Sequence, residues 1–365
     1  MRPVSVQRSI LHKNPVILGT LHPQACDQRV GRDYTVDIRE EHQQNPVADH
    51  VSALVAVTRP IIAGVLRSIP NESLAAIGKE RDDIPLHLVA SLRTQGDGDC
   101  GVAFEYAVHN AVVEGDSVAI ERVSDALRQC RITRGEPASI LFAIEKAGAQ
   151  QLISTELDLI TPESRVLSGT RGQPVKLKNH MTSLARAFRS PRAQLNLPQS
   201  IRGLWKADLF LGSATPDHWV GTSVKINPDR LEAARGLRIA IVPSLSGRAD
   251  SIRKDDQKNL VICPMPYDGS FMEVFFEGWQ IVQALCERRF RMPRDVELPN
   301  SLHRTVADMY VARREFPVRD VLAAMRIFAQ PELLVTEDET VSSTSYRAGT
   351  RPGTSTVVGP FARQL

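Results

Sequence analysis

The sequence predicts an α/β fold, and three stretches carry that prediction. Asp208-Leu-Phe-Leu-Gly212 and Trp219-Val-Gly-Thr-Ser-Val-Lys225-Ile-Asn227 are rich in β-formers and flank a turn-rich segment, which makes them a hairpin. Leu237-Arg-Ile-Ala-Ile-Val-Pro243 and Asn259-Leu-Val-Ile-Cys-Pro264 are nearly continuous apolar runs, the pattern of strands covered on both faces. Phe271 to Phe290 is then helical, with Val274, Phe275, Gly278, Ile281, Val282 and Leu285 recurring at helical spacing and a basic end at Arg288-Arg289-Phe290-Arg291. Sheet and helices in this order suit layers packed about one core.

Taken in order, residues 1 to about 45 hold few periodic apolar positions and many polar and proline breaks, which predicts loops or a loosely packed arm. From Ala48 the pattern turns helical through Val51, Leu54, Val55, Ile61, Ile62, Val65 and Leu66, with Pro60 as the expected kink or boundary between two helices. Asn71 to Ile77 reads as a short helix stopped by Gly78, and Asn227 to Gly236 as another, with Pro228 near its start. Between the two apolar strands, residues 244 to 258 are a polar, charged loop. Ser301 to Arg314 and Val318 to Phe328 are amphipathic, and the Ser, Thr and Gly content after Glu337 predicts a flexible tail. The chain divides on this reading into an arm and helical region (1–90), an α/β core (91–295) with a basic insertion at about 150–203, C-terminal helices (296–335) and a tail (336–365).

Composition narrows the class. With 42% hydrophobic and 24% charged residues the chain has ample material for a core. No uncharged apolar run approaches the roughly 20 residues that span a bilayer. Met1 to Ile10 lacks the apolar block of a secretory signal. Cys26, Cys100, Cys130, Cys263 and Cys286 are scattered without a C-x-x-C pair, which argues for a reducing, cytoplasmic setting and against a disulfide framework or a structural zinc. The net charge is only +3, yet Arg165, Arg171, Lys176, Lys178, Arg186, Arg189, Arg192, Arg202 and Lys206 follow one another without a single Asp or Glu between Arg165 and Lys206. A one-signed block of that length is a local positive field suited to phosphates, since each phosphate neutralised releases counterions. A solvated basic loop or a patch for an acidic protein is the plainer alternative.

Two places carry candidate chemistry. A glycine-rich turn, Gln95-Gly-Asp-Gly-Asp-Cys-Gly101, leads into a helix on which Glu105 and His109, four apart, share a face. They are either a surface neighbour pair or a rigidly placed carboxylate beside a histidine. The hairpin brings Asp208 and Lys225 to one end of a sheet, where a carboxylate can anchor a divalent ion and an ammonium can steady a nucleophilic water or developing charge. The bland reading of that pair is a solvated ion pair.

Gly101-x-x-Phe104-Glu105 on a helix, Asp208 on a strand and Ser223-Val-Lys225 on the next strand resemble the PD-(D/E)xK nuclease superfamily, the fold of many restriction endonucleases. The resemblance implies a restriction-endonuclease-like core of helix, β-hairpin, helix and strands with N- and C-terminal helical additions. It implies Mg²⁺ or Mn²⁺ as cofactor, Asp208 and Glu105 as metal ligands, Lys225 as the motif lysine and DNA as substrate. Asp217 and the Val224 carbonyl are accessory candidates. Ser223 stands where the superfamily has an acid, which removes one expected ligand and admits a non-cleaving, nucleic-acid-binding module of the same fold. The separation between Glu105 and Asp208 requires an insertion. The hazard of free nuclease activity suggests a trigger: an ATPase or a subunit of a restriction or antiviral defence assembly, or self-association as a homodimer. A different class is also open: Asp97-Gly-Asp99-Cys100 is similar to the Asp-Gly-Asn-Cys box of ovarian-tumour-type cysteine proteases, with Cys100 as nucleophile and His218, before Trp219, as base.

Overall fold

The computed structural model describes residues 16–21, 34–41, 46–93, 99–141, 161–168, 174–176, 190–198, 207–244, 251–266, 271–293, 296–329 and 343–348, with the single positions 96, 180, 183, 186, 187 and 201. The chain forms two units, residues 47–336 and the two chain ends together. In the smaller unit β1 (Val16–Leu21) and β2 (Tyr34–Glu41) pair antiparallel, and β11 (Ser343–Ala348) adds to the other side of β2. Both ends had read as loop and flexible tail. The strands they contain are legible afterwards in Val16-Ile17 and in the alternation of Val36 and Ile38 with polar neighbours; Ser and Thr serve a strand as readily as a coil once a partner strand supplies the hydrogen bonds.

The larger unit begins with α1 (Pro46–Arg67), a single helix that runs through Pro60. Of the two outcomes expected at Pro60, the boundary is absent, because packing holds the helix on both sides of the proline: Leu54, Val55, Ile61 and Ile62 are all buried in one core. By length and composition α1 could cross a membrane, but most of it is buried inside the protein. α2 (Asn71–Ile77) ends as expected at Gly78, in the left-handed conformation with φ 62°. α3 (Leu86–Leu92), α4 (Asp99–Glu114), α5 (Ser117–Gln129), α7 (Phe271–Glu287), α8 (Ser301–Val311) and α9 (Val318–Arg326) complete the helical layer. α6 (Pro191–Leu195) is a short turn of helix in the insertion. Glu277 of α7 pins three helices together, its Oε2 accepting from His50 Nε2 of α1 at 2.8 Å and His303 Nε2 of α8 at 2.9 Å.

The sheet is open and mixed. Its strands are β3 (Ala138–Leu141), β6 (Leu209–Ser213), β7 (His218–Val224), β8 (Arg238–Pro243), β10 (Leu260–Met265) and β9 (Arg253–Asp255), in that spatial order. β3, β6 and β7 run as an antiparallel meander, β8 lies parallel to β7, and β10 parallel to β8. β4 (Arg165–Leu167) pairs with the first residues of β7 and with β5 (Pro174–Lys176). Gly212 is required where the meander is tightest, since a Cβ there would run into the His218 carbonyl and the Trp219 backbone. The helix expected over residues 227–236 is only a 3₁₀ turn at Pro228–Arg230. Leu231 and Ala234 pack instead on Ala240, Val242, Leu260 and Ile262, and the Ala234 N–H bonds the Lys258 carbonyl, so tertiary partners displace the local helical preference. The loop expected at 244–258 contains β9.

Strand alternation splits the sheet into two faces. Leu209, Leu211, Val220, Val224, Ile239 and Ile241 join the core formed with the helices, including Phe104 of α4 and Phe275 of α7, whose rings lie 5.1 Å apart. Phe210, Trp219, Ile140 and Val166 face the other way and are covered by Ala187, Leu197 and Ile201 of the insertion.

Asp116, which caps α5 by accepting the Ala119 N–H at 2.7 Å, is fully buried, and burial pushes its carboxyl up to about 6 from an ordinary 3.8. Between those values the folded protein binds the proton more tightly than the unfolded chain, so this group favours folding at low pH and that contribution is lost as pH rises toward 6. Asn caps a helix as well as Asp does. Asp116→Asn is therefore expected to gain stability over the wild type progressively from about pH 4 to pH 6 and by a constant amount above, on the order of 2–3 kcal/mol. Urea unfolding across that range reads it; a pH-independent difference would mean the carboxyl is not held this way.

Candidate functional site

The β6–β7 hairpin places its charged residues by backbone pairing. The Asp208 N–H donates to the Thr222 carbonyl at 2.8 Å, and the Lys225 N–H donates to the Ile241 carbonyl at 2.9 Å, so both residues extend the ladder just beyond the strands. Asp208 Oδ2 then accepts the Val224 N–H at 2.9 Å and the Lys225 ammonium at 3.1 Å. The expected meeting of acid and amine at one end of the sheet is present. The Lys225 side chain is 41% exposed and that of Asp208 17%, so the pair opens to solvent on the lysine side.

Ser223 and Lys225 alternate with Thr222 and Val224, and therefore project from the face opposite the helical core. Arg238, at the start of β8, alternates with Ile239 and projects from that same face. Its Nη1 donates to Ser223 Oγ at 3.0 Å. Burial lowers the Arg238 guanidinium from its ordinary value, while the Asp208 and Glu232 carboxylates pull it back up. Sequence reasoning passed over Arg238, because nothing in a strand that reads Arg-Ile-Ala-Ile-Val-Pro separates a functional arginine from an edge charge; only the parallel β7–β8 register brings it to Ser223.

Glu105 is placed differently. α4 lies against β3 and β7 on the helical face, and His109 Nδ1 is 2.9 Å from Ser139 Oγ, Ser139 sitting opposite Leu211 of that face. Glu105 is buried on the same helix, one turn away. The pair is thus not a surface neighbour pair, and Asp208 and Lys225 bond each other and the strand backbone. Burial pushes the His109 imidazole down to about 4, so it is neutral at physiological pH. Asp217 is also separated from the site. It sits in the β6–β7 turn, roughly 16 Å of strand from Asp208, and its carboxylate accepts from Thr161 Oγ1, Ser164 Oγ and Trp219 Nε1 at 2.6, 2.7 and 2.9 Å, which makes it a structural anchor for the insertion.

Of the basic block, Arg165, Arg186 and Arg192 are exposed, and Lys176 is half-buried with its ammonium 3.0 Å from Glu163. Arg171, Lys178, Arg189, Arg202 and Lys206 lie outside the described residues. Ala187, Leu197 and Ile201 anchor the block on the Phe210 and Trp219 side of the sheet, the side from which Ser223, Lys225 and Arg238 project, whereas Arg165 alternates with Val166 and projects from the other face.

The donor set for a metal is small. Among the described residues no group of three or more His, Cys, Asp or Glu side chains is arranged to hold an ion. Mg²⁺ keeps several waters and binds through one or two carboxylates plus substrate phosphates. Asp208 offers Oδ1, its Oδ2 being committed, and meets that minimum for one ion. It does not meet the needs of two.

Among the described residues no hydrogen bond joins Cys100 to His218. Cys100 lies in the first turn of α4, where burial raises its thiol to about 11 and leaves it protonated at neutral pH. Asp99 beside it ties the loop down, accepting from Arg93 and from the Gly96 N–H. His218 opens β7 next to Asp217 at the hairpin turn. Scans against family models, curated proteins and solved structures return no match to this chain.

If His218 does not activate Cys100, then His218→Ala leaves the rate of Cys100 alkylation by iodoacetamide at pH 7.5 unchanged, and that rate stays well below that of free cysteine. Loss of labelling in the variant would restore the dyad.

Proposed function

We propose that the chain is a phosphodiesterase acting on DNA with the help of one Mg²⁺ or Mn²⁺ ion, built on a restriction-endonuclease-like core. The observation that carries the reading is the Asp208–Lys225 contact at 3.1 Å, held on paired strands two residues from Ser223. The order of a helix, an antiparallel meander bearing Asp208 and Lys225, and a parallel strand after it agrees with that reading. So does the anchoring of the basic block on the same side of the sheet, which would supply sequence-independent affinity for a phosphate backbone.

In this reading Asp208 holds the ion through Oδ1, and a bound divalent ion would polarise the scissile phosphate and lower the pKa of its water. Lys225 orients the attacking water or balances the charge that grows on the phosphorane. The basic side chains hold the strand in place. Glu105, buried on α4, is not needed for a single ion in this reading. A protein partner such as an ATPase or another subunit of a defence assembly, or a second copy of the chain, would serve to restrain the activity.

A second reading is favoured by Ser223, whose hydroxyl carries Arg238 where a second carboxylate would hold metal: the chain binds DNA without cutting it. The two separate in one experiment. With Mg²⁺ or Mn²⁺ and supercoiled plasmid, the phosphodiesterase nicks the DNA, and Lys225→Ala or Asp208→Asn lowers the rate on the order of 10²–10³. Removing a pair this exposed costs only about 0–1 kcal/mol, so both variants keep the wild-type circular dichroism. Salt-sensitive binding without nicking selects the second reading, and full activity in either variant removes the assignment of the site.

A further inference from the structure

The β6–β7 hairpin carries a carboxylate at each end. Asp208 closes the open end, and Asp217 sits in the turn, where it adopts the left-handed backbone conformation (φ 61°) that aspartate tolerates better than most residues. Its carboxylate takes three donors, Thr161 Oγ1 at 2.6 Å, Ser164 Oγ at 2.7 Å and Trp219 Nε1 at 2.9 Å, and its backbone carbonyl accepts the Arg165 N–H at 3.0 Å. Burial works to raise this carboxyl, but the bonds from Thr161, Trp219 and Ser164 outweigh it and hold the group below its ordinary value. Thr161 and Ser164 belong to the basic insertion and directly precede β4, which pairs parallel with the first residues of β7. Trp219 is the floor on which that insertion rests, fully buried in one cluster with Val166, Ala187, Leu197 and Ile201. One carboxylate therefore grips the insertion twice, directly through two hydroxyls and indirectly by fixing the indole beneath it.

The insertion turns positive charge outward. Arg186 immediately precedes Ala187 of the Trp219 cluster, Arg192 lies on α6 ahead of Leu197, and both arginines are exposed. Arginines on an anchored backbone keep a fixed spacing, whereas the same arginines on a loose loop lose conformational entropy with every phosphate contact.

We infer that Asp217 is the positioning residue of the nucleic-acid interface: it locks the basic insertion onto the hairpin turn, so that the hold on a DNA backbone is set at one end of β6 and β7 while Asp208 and Lys225 act at the other. The inference rests on the DNA-binding part of the reading above and adds to it a residue that governs affinity and leaves the chemical step alone. Two substitutions isolate the carboxylate. Asp217→Gly removes it and suits the left-handed turn. Asp217→Asn keeps an oxygen for Ser164 and Trp219, whose donors share Oδ1.

The test uses the full chain. Amide hydrogen exchange reads the lock without DNA, and fluorescence anisotropy with a labelled duplex, titrated over salt, reads the interface. In Asp217→Gly, exchange is expected to speed up over residues 161–168 and 190–198 and to stay as in the wild type over 238–243 and 260–265. Duplex binding weakens for every sequence alike, and the slope of log K against log salt flattens by about 1–2, the share of Arg186 and Arg192. Nicking keeps its wild-type rate at saturating DNA, the mark of lost binding without lost chemistry. Asp217→Asn stays close to the wild type in all three. Should Asp217→Gly fail to fold, Thr161→Val, which removes one exposed hydrogen bond, shows the same changes in smaller measure. Unchanged exchange, or faster exchange with duplex binding and salt slope unmoved, overturns the inference and leaves the phosphodiesterase reading standing. Loss of nicking by Asp217→Gly at saturating DNA overturns it as well. Absence of duplex binding by the wild type overturns both proposals together.

Discussion

Everything at this end of the sheet depends on one carboxylate oxygen. Asp208 Oδ2 accepts both the Val224 N–H and the Lys225 ammonium, so it finishes the β6–β7 ladder where backbone pairing runs out and at the same time fixes the lysine. A carboxylate with one oxygen committed has only the other to offer, and that single fact limits the chemistry available. The partner on the far side, Arg238, completes the arrangement by taking the Ser223 hydroxyl.

The pleat decides which residues take part. Thr222 and Val224 go to the helical core, Ser223 and Lys225 to the other face, and the helix that bears Glu105 and His109 covers the core side. The opposite side is covered by apolar residues of the basic insertion packed on Phe210 and Trp219. The insertion is held down further by Asp217, two of whose three side-chain hydrogen bonds tie the hairpin turn to Thr161 and Ser164. Stability comes from the buried apolar faces, since a part-exposed ion pair contributes little.

Much of the architecture was legible. The strands at 209–213, 218–224, 238–243 and 260–265 and the helices at 271–287, 301–311 and 318–326 lie where apolar periodicity puts them, because burial rewards that pattern directly. The misreadings share a cause. Pro60 was expected to kink or divide its helix, and tertiary packing keeps the helix undivided. Residues 231–236 were expected to be helical and are bound to the β8–β10 surface. The chain ends were expected to be unstructured, and the strands there are made by pairing between segments some 300 residues apart. Each is a case in which a distant partner outweighs local preference.

By itself, the sequence determined the α/β class, the hairpin, and the meeting of Asp208 with Lys225, since strand pairing across a short turn is a local matter. It also determined the one-signed block that precedes the hairpin. Only the tertiary structure decided that the helix bearing Glu105 and His109 packs on the core face of the sheet, that Asp217 is an anchor at the other end of the hairpin, and that Arg238 stands at Ser223. The reason is geometric. Side-chain alternation fixes a face only once the register with a neighbouring strand and the side taken by each helix are known, and both are settled by contacts between residues far apart in the chain.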